Sequence, residues 1–298
     1  MDFADITIND KALFDRYLHR YEPRISEMTF TNLFMWRKVH SFRYAEVEGL
    51  LCVISVPEEG RPYALKPVGA IDGDNFAKTI WDLKDYFLKK GWKLEFRKVA
   101  EEDLIYFKDF VSSDEGIVFD RNNSDYIYLT EDLINLRGKK FHSKKNHINK
   151  FKKLYEYEYV RLDGGFVDEC LRIMEEWCAA KGCDCRKEGY CEKLANMELL
   201  NNYGDLGCKG ALIKVNGRFE AFTVGEMLNM DTAVIHIEKA NSQIDGLYAF
   251  VNQQFCEKEW GDTTYINREQ DLGVEGLRKA KLSYNPVKMV NKYTIHVN

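Results

Sequence analysis

Proline is scarce in this chain, with five in 298 residues, and no serine- or glycine-rich tract interrupts it. A floppy tether is therefore excluded: if the chain holds two domains, ordered structure joins them. No uninterrupted apolar run reaches the roughly 18 residues that would span a bilayer. The N-terminal MDFADITIND has no charged-then-apolar leader pattern, so a cytoplasmic location is expected. Paired C-x2-C spacing is missing as well. The clustered cysteines run Cys178-x4-Cys183-x-Cys185-x5-Cys191, which is not the spacing of a zinc knuckle, and no His, Asp or Glu pattern suggests a metal site. The cysteines are expected to be reduced thiols, with no motif placing a base beside any of them.

The absence that matters most is local. Residues 137–155, RGKKFHSKKNHINKFKKLY, contain no acid, although the chain as a whole carries a net charge of −5. Arg137, Lys139, Lys140, Lys144, Lys145, Lys150, Lys152 and Lys153 make this stretch a reversal of sign at the midpoint of the chain. Phe141, Ile148, Phe151 and Tyr155 fall on one stripe of a helix, which must be buried. All-positive helices lack the i,i+4 pairs that offset repulsion. Acids from elsewhere in the fold, an RNA backbone held by Lys139, Lys140, Lys144 and Lys145, or an anionic lipid surface could each supply the balance. Few aromatics interleave with the lysines, so base stacking is not indicated.

Apolar residues at 45% and aromatics at 13% are ample for a core. Helical spacing marks Lys11–Tyr21, Thr29–Lys38 and Asn75–Lys90, the last with Phe76, Ile80, Leu83 and Phe87 on one face and Gly91 as its cap. Strand-like runs cover Phe42–Val47, Leu51–Val56, Tyr63–Pro67, Lys93–Val99, Ile117–Phe119 and Asp125–Leu129, with a short helix from Glu101. The second half repeats the order. A strand at Tyr157–Leu162 precedes helices at Phe166–Lys181 and Tyr190–Asn202, and a hairpin turns at Asn216-Gly217. A long strand (Thr232–Lys239), a helix from Gly246, a strand (Thr263–Arg268), a helix (Val274–Leu282) and a strand (Met289–Ile295) follow. Both halves thus read α-α-β-β-β-α-β-α-β, as two copies of one α/β unit.

The strings Asn267-Arg268-Glu269-Gln270-Asp271-Leu272-Gly273 and Gly276-Leu277-Arg278-Lys279-Ala280-Lys281-Leu282-Ser283-Tyr284, with Pro286, carry a resemblance, as do His236–Asn241 and Gly246-Leu247-Tyr248. They resemble a bacterial family of unknown function related to the C-terminal domain of phosphatidylglycerol lysyltransferase, over essentially the whole chain. The resemblance implies an α/β fold of two tandem GNAT-like domains, each a mixed sheet flanked by helices, similar to the Fem-type aminoacyltransferases. Those relatives move an aminoacyl group from charged tRNA to an amine or a lipid hydroxyl. The expected division is an N-terminal domain at 1–135, a basic linker helix at 136–155 and a C-terminal domain at 156–298 carrying the site.

A GNAT acyltransferase holds the pyrophosphate of acyl-CoA on backbone N–H groups at a helix start. The matching place reads Gln243-Ile244-Asp245-Gly246-Leu247-Tyr248: Gln243 and Gly246 fit the pattern, whereas Tyr248 departs from it and Asp245 adds negative charge. A general base must take the acceptor's proton, and Glu238, Glu269 and Asp271 are the candidates. If neighbouring strands splay, all three would face one crevice; Asp271 could instead serve a turn. Strand alternation puts Asn267 with Glu269 on one face. Arg278 and Lys281, three apart on a helix, could hold a phosphate or carboxylate. Tyr248 could protonate a leaving group, or be packed with its hydroxyl bonded. His236 reads as a polar-face residue. The expected function is an acyl- or aminoacyltransferase using aminoacyl-tRNA. An acetyl-CoA-dependent N-acetyltransferase, or a non-catalytic duplicated fold that binds an anionic partner, stand as alternatives. The acceptor is left open.

Overall fold

A computed structural model describes residues 1–182 and 192–297; Cys183, Cys185, Cys191 and the start of the helix expected from Tyr190 lie outside them. The chain divides into two compact units. One is Met1–Asp125 with Gln270–Gly273 and Val290–Asn298; the other is Tyr126–Glu269 with Val274–Met289.

The chain begins β1 (Ala4–Asp5), α1 (Lys11–Tyr21), α2 (Phe30–Trp36), β2 (Phe42–Val47), β3 (Leu50–Ser55), β4 (Tyr63–Ala64), β5 (Val68–Gly69) and α3 (Gly73–Lys89). It continues through β6 (Glu95–Ala100), a 3-10 segment (Glu101–Phe110), β7 (Ile117–Phe119), β8 (Asp125–Leu129), α4 (Thr130–Asn135), α5 (His142–Leu154), β9 (Tyr157–Arg161) and α6 (Val167–Lys181). After the undescribed residues come α7 (Glu192–Asn201), α8 (Tyr203–Leu206), β10 (Lys209–Val215), β11 (Arg218–Met227), β12 (Thr232–Ala240) and α9 (Leu247–Glu259). Last are β13 (Tyr265–Asn267), α10 (Glu275–Leu282), β14 (Lys288–Val290) and β15 (Lys292–His296).

Local chemistry sets many of these boundaries. Thr29 and Asp72 cap α2 and α3, accepting from the Asn32 and Asn75 amides at 3.0 and 2.9 Å. Glu48-Gly49 and Asn216-Gly217 have positive φ throughout, the twist that closes the β2–β3 and β10–β11 hairpins. The expected face of α3, Phe76, Ile80, Leu83 and Phe87, is buried. So is the stripe of the basic segment: Phe141, Ile148 and Phe151 pack with Leu247 and Phe250 of α9, and Tyr155 lies partly buried against them.

Pairing runs β1-β2-β3-β4-β6-β15-β7 in one sheet, with β5 beside β3, and β9-β10-β11-β12-β13-β8-β14 in the other. The orders correspond term by term. In each, three antiparallel neighbours lead to one parallel pair, β4 with β6 or β12 with β13, and then to an antiparallel strand. This duplication is the one expected, but with an exchange that the linear order hides. β8 follows β7 in the chain and yet pairs with β13. The expected final strand breaks into β14 and β15, and β15 pairs with β6 and β7. The chain's last strand thus lies in the sheet of the first unit.

The exchanged strand β15 begins on Lys292, whose side chain is fully buried. Its Nζ lies 2.5 Å from Glu27 Oε2 and 2.7 Å from Asp125 Oδ1, and its backbone N–H donates to Ser124 Oγ at 3.2 Å. Burial alone would raise the Glu27 carboxyl, but Lys292 and then Lys98 hold it down at about 2. Removing one member of such a pair leaves buried charge unbalanced. Lys292→Met should lower stability by about 3–5 kcal/mol in urea denaturation; an unchanged midpoint would deny the pair that role. Residues 1–135 expressed alone lack β15 and should show no cooperative transition, whereas the same piece with residues 288–298 appended should recover one.

Candidate functional site

β12 and β13 run in register for three residues only, Thr232–Val234 beside Tyr265–Asn267, and then part. A bulge shapes β12 just beyond. Val224 lies opposite Ile237 but Gly225 opposite Ile235, which leaves His236 as the extra residue. Only glycine suits position 225, since a Cβ there would come within 2.5 Å of the Val234 carbonyl oxygen. The bulge inverts the alternation, so Glu238 turns to α9, where Asn252 Nδ2 donates to its Oε2 at 3.3 Å.

Arg268, the first residue past β13, reaches across the opening: its Nη2 donates to Glu238 Oε1 at 2.8 Å. Burial opposes the guanidinium charge and Glu238 more than restores it. Nη1 is buried without a hydrogen-bond partner. The guanidinium lies 4.8 Å from the Tyr284 ring centre, and Lys144 Nζ from α5 lies 4.2 Å from the same ring. Burial, and then Arg268, pull Lys144 below the usual lysine range against the opposing pull of Glu238.

The second cluster is Glu226–His236–Glu269. The His236 side chain has no exposed surface, and its Nε2 and Nδ1 lie 2.9 Å from Glu226 Oε1 and Glu269 Oε1. Burial pulls the imidazole down, but the two carboxylates override it and raise it to about 9, so the ring is an imidazolium at neutral pH. Glu269 has φ +56°, a left-handed conformation uncommon for its type. Its N–H donates to the fully buried Asn267 at 2.7 Å, and its carbonyl receives Lys281 Nζ at 3.3 Å.

The sequence candidates have different partners in the structure. Glu238 pairs with Arg268; Glu269 faces His236. Asp271 belongs to the first unit, where it is fully buried, lies 3.2 Å from Arg121 Nη1 and accepts from the Gly273 N–H at 2.8 Å: it serves a turn. Lys281 Nζ is engaged by the Arg268 and Glu269 carbonyls, and Arg278 is half-buried on α10. Tyr248 accepts from Trp177 Nε1 at 2.8 Å, and burial raises its phenol. Gln243 is exposed, with its N–H on Asn241. Gly246 abuts α5, and a Cβ there would stand 2.4 Å from the His147 carbonyl oxygen. The preceding Asp245 is held by Lys150 at 2.8 Å and His147 at 2.9 Å, hydrogen bonds that lower its carboxyl.

The basic segment is partly compensated. Arg137, Lys140 and Lys150 meet Glu131, Asp132 and Asp245, and Lys144 turns inward. Lys139, Lys145, Lys152 and Lys153 remain exposed with no acidic partner among the described residues. The sequence offers no sign that Arg268 is a site residue, and His236 reads there as a polar-face residue. Gly225 within an apolar strand was the available sign of a bulge.

A family model described as phosphatidylglycerol lysyltransferase, C-terminal, matches residues 18–296. A conserved protein of unknown function from Bacteroides thetaiotaomicron is 34% identical, with 100% of both chains covered and a TM-score of 0.91. L-PGS from Bacillus licheniformis aligns at 18% identity over 97% of this chain and 92% of that one, with a TM-score of 0.65. A tandem GNAT protein from the clavulanic acid biosynthesis pathway aligns at 10% identity over 100% and 98%, with a TM-score of 0.54. An uncharacterized protein of Mycoplasmoides gallisepticum is 24% identical over 182 residues, 60% of this chain, and the match spans 58% of that relative. The expected α/β fold, two GNAT-like units in tandem, is the fold these likenesses show. No helix among the described residues is long and apolar enough to cross a membrane.

The imidazolium clamp yields a pH signature. His236 titrates at about 9 when folded and near its ordinary 6.5 when unfolded. Its contribution to stability, of order 3 kcal/mol, should be complete below pH about 6.5 and lost as pH rises through about 9. Urea midpoints measured from pH 6 to 10 should fall over that window, and His236→Gln should flatten the decline.

Proposed function

This chain belongs to the family of phosphatidylglycerol lysyltransferase C-terminal domains, and from that premise we propose that it is an aminoacyltransferase whose donor is an aminoacyl-tRNA. The observation that carries the choice of donor is the head of α9. An acyl-CoA would need its pyrophosphate on the N–H groups there. That turn is packed against the α5 backbone at Gly246, and a carboxylate, Asp245, already stands beside it. The corresponding helix head of the first unit, at α3, opens on a recess of about 420 Å³ lined by Glu48, Asp72, Asp74, Asn75 and Lys78. Three acids there oppose a pyrophosphate. Neither head therefore offers a phosphate cradle, whereas Lys139, Lys145, Lys152 and Lys153 lie exposed along α5 and the turn before it, suited to a polyanion.

In this reading Glu269 is the general base. The acceptor's nitrogen or oxygen gives its proton to the Glu269 carboxylate and attacks the ester carbonyl carbon. The bond from that carbon to the ribose oxygen then breaks, and the proton passes to the ribose oxygen. His236 holds the carboxylate in place, and Asn267 fixes the left-handed turn that presents it. The acceptor is an amine or a hydroxyl.

Calorimetry with acetyl-CoA should show no binding, and micromolar affinity would sink the tRNA donor. Bulk charged tRNA should be retained in a filter assay, and Lys145→Glu with Lys152→Glu should weaken retention at least about tenfold and lower its salt dependence. Glu269→Gln should slow acceptor-dependent loss of label from charged tRNA about 100-fold or more with the fold intact; full activity would remove it as the base.

A further inference from the structure

Two cationic side chains, Arg268 and Lys144, meet where β12 and β13 part. Arg268 and Lys144 both approach the Tyr284 ring, at 4.8 and 4.2 Å from its centre, and the Glu238 carboxylate lies 2.8 Å from Arg268. Among the other polar groups nearby, Asn252 Oδ1 is buried without a hydrogen-bond partner. Tyr128 donates its hydroxyl hydrogen to the Lys281 carbonyl at 2.8 Å, and Asn252 is on Glu238. The Lys144 ammonium has no hydrogen-bond acceptor among the described residues and stands over the Tyr284 ring. Arg268 Nη1 is likewise without a partner.

Two like charges brought together at a half-buried place repel each other and lose hydration. α5 could carry Lys144 outward, as it does Lys145; instead Ile148 and Phe151, buried against α9, fix the helix rotation that points Lys144 at Tyr284. An arrangement that costs stability by itself is expected where an anion is to be bound.

We propose that Arg268 and Lys144 form a binding subsite for a singly charged oxyanion, the class shared by carboxylates and phosphodiesters. Of the two cations only Arg268 is paired with a carboxylate, Glu238, so the Lys144 charge is the one left for a monoanion. The Lys144 ammonium, half exposed, receives the ligand's oxygen, and the Arg268 guanidinium backs it. Glu238 orients that guanidinium and is a positioning residue. This subsite is required neither to bind tRNA nor to act in transfer, so it stands whether or not the donor is an aminoacyl-tRNA.

The test follows the ε-carbon signal of Lys144 by NMR in protein labelled with 13C-lysine, the signal being identified by its absence in Lys144→Arg. Sodium dimethyl phosphate and sodium acetate are titrated separately, with sodium chloride at equal ionic strength as reference. A saturable shift with either anion, absent with chloride, is expected. Saturation by dimethyl phosphate alone assigns a phosphodiester and by acetate alone a carboxylate. Arg268→Lys, which keeps the charge and loses the planar fork, should weaken binding at least about tenfold, while Lys279→Met, on the exposed face of α10, should leave it unchanged. A shift no different from that with chloride, or equal weakening by Lys279→Met and Arg268→Lys, overturns the subsite.

Discussion

One ammonium group anchors the exchange on which both sheets depend. Lys292 Nζ lies buried between Glu27 and Asp125. Asp125 is the residue at which the chain leaves the first sheet for β8, and Lys292 is the residue at which it returns as β15. A charge in so dry a place is tolerated only when its partners are fixed, and here two buried carboxylates fix it. The apolar side of the same strand, Ile295, then packs with Phe96, Val99 and Phe107. Hydrophobic burial supplies much of the strand's binding energy, and the charges supply its register.

The duplication left two similar sheets with different chemistry at their parting strands. Just beyond the Ala64–Phe96 pair of the first sheet, Lys66 is buried, bonded to Asp103 at 2.7 Å and caged by Tyr21 and Tyr106. That lysine is satisfied, and burial lowers it against the pull of Asp103. In the second sheet the lysine comes from α5 and faces an aromatic ring and an arginine. The first arrangement is closed on itself; the second retains unpaired donors. The difference belongs to side chains, since strand order is the same in both.

Most elements were legible because their signals are local. Capping oxygens at Thr29 and Asp72, two residues of positive φ at each hairpin, and the spacing of Phe76, Ile80, Leu83 and Phe87 act within a few residues of chain. The site was legible only in part. Glu238 and Glu269 were picked out as acids near strand ends, but their partners were not, because a one-residue bulge at His236 decides which face Glu238 takes. Asp271, adjacent in sequence to these groups, answers to Arg121, 150 residues away.

The amino-acid sequence by itself determined the α/β class, the repeated order of elements, the buried stripe of the basic helix and the family strings from His236 to Pro286. These rest on periodicity and short-range chemistry that no distant contact overrides. Tertiary structure alone decided that the last strands are exchanged, that α5 packs over the head of α9, and that Lys144 turns inward to Arg268 while Lys145 does not. Each of these depends on which apolar face meets which across long separations in the chain. Pairing of that kind is set by burial and by the balance of enclosed charge, not by the residues that adjoin it in sequence.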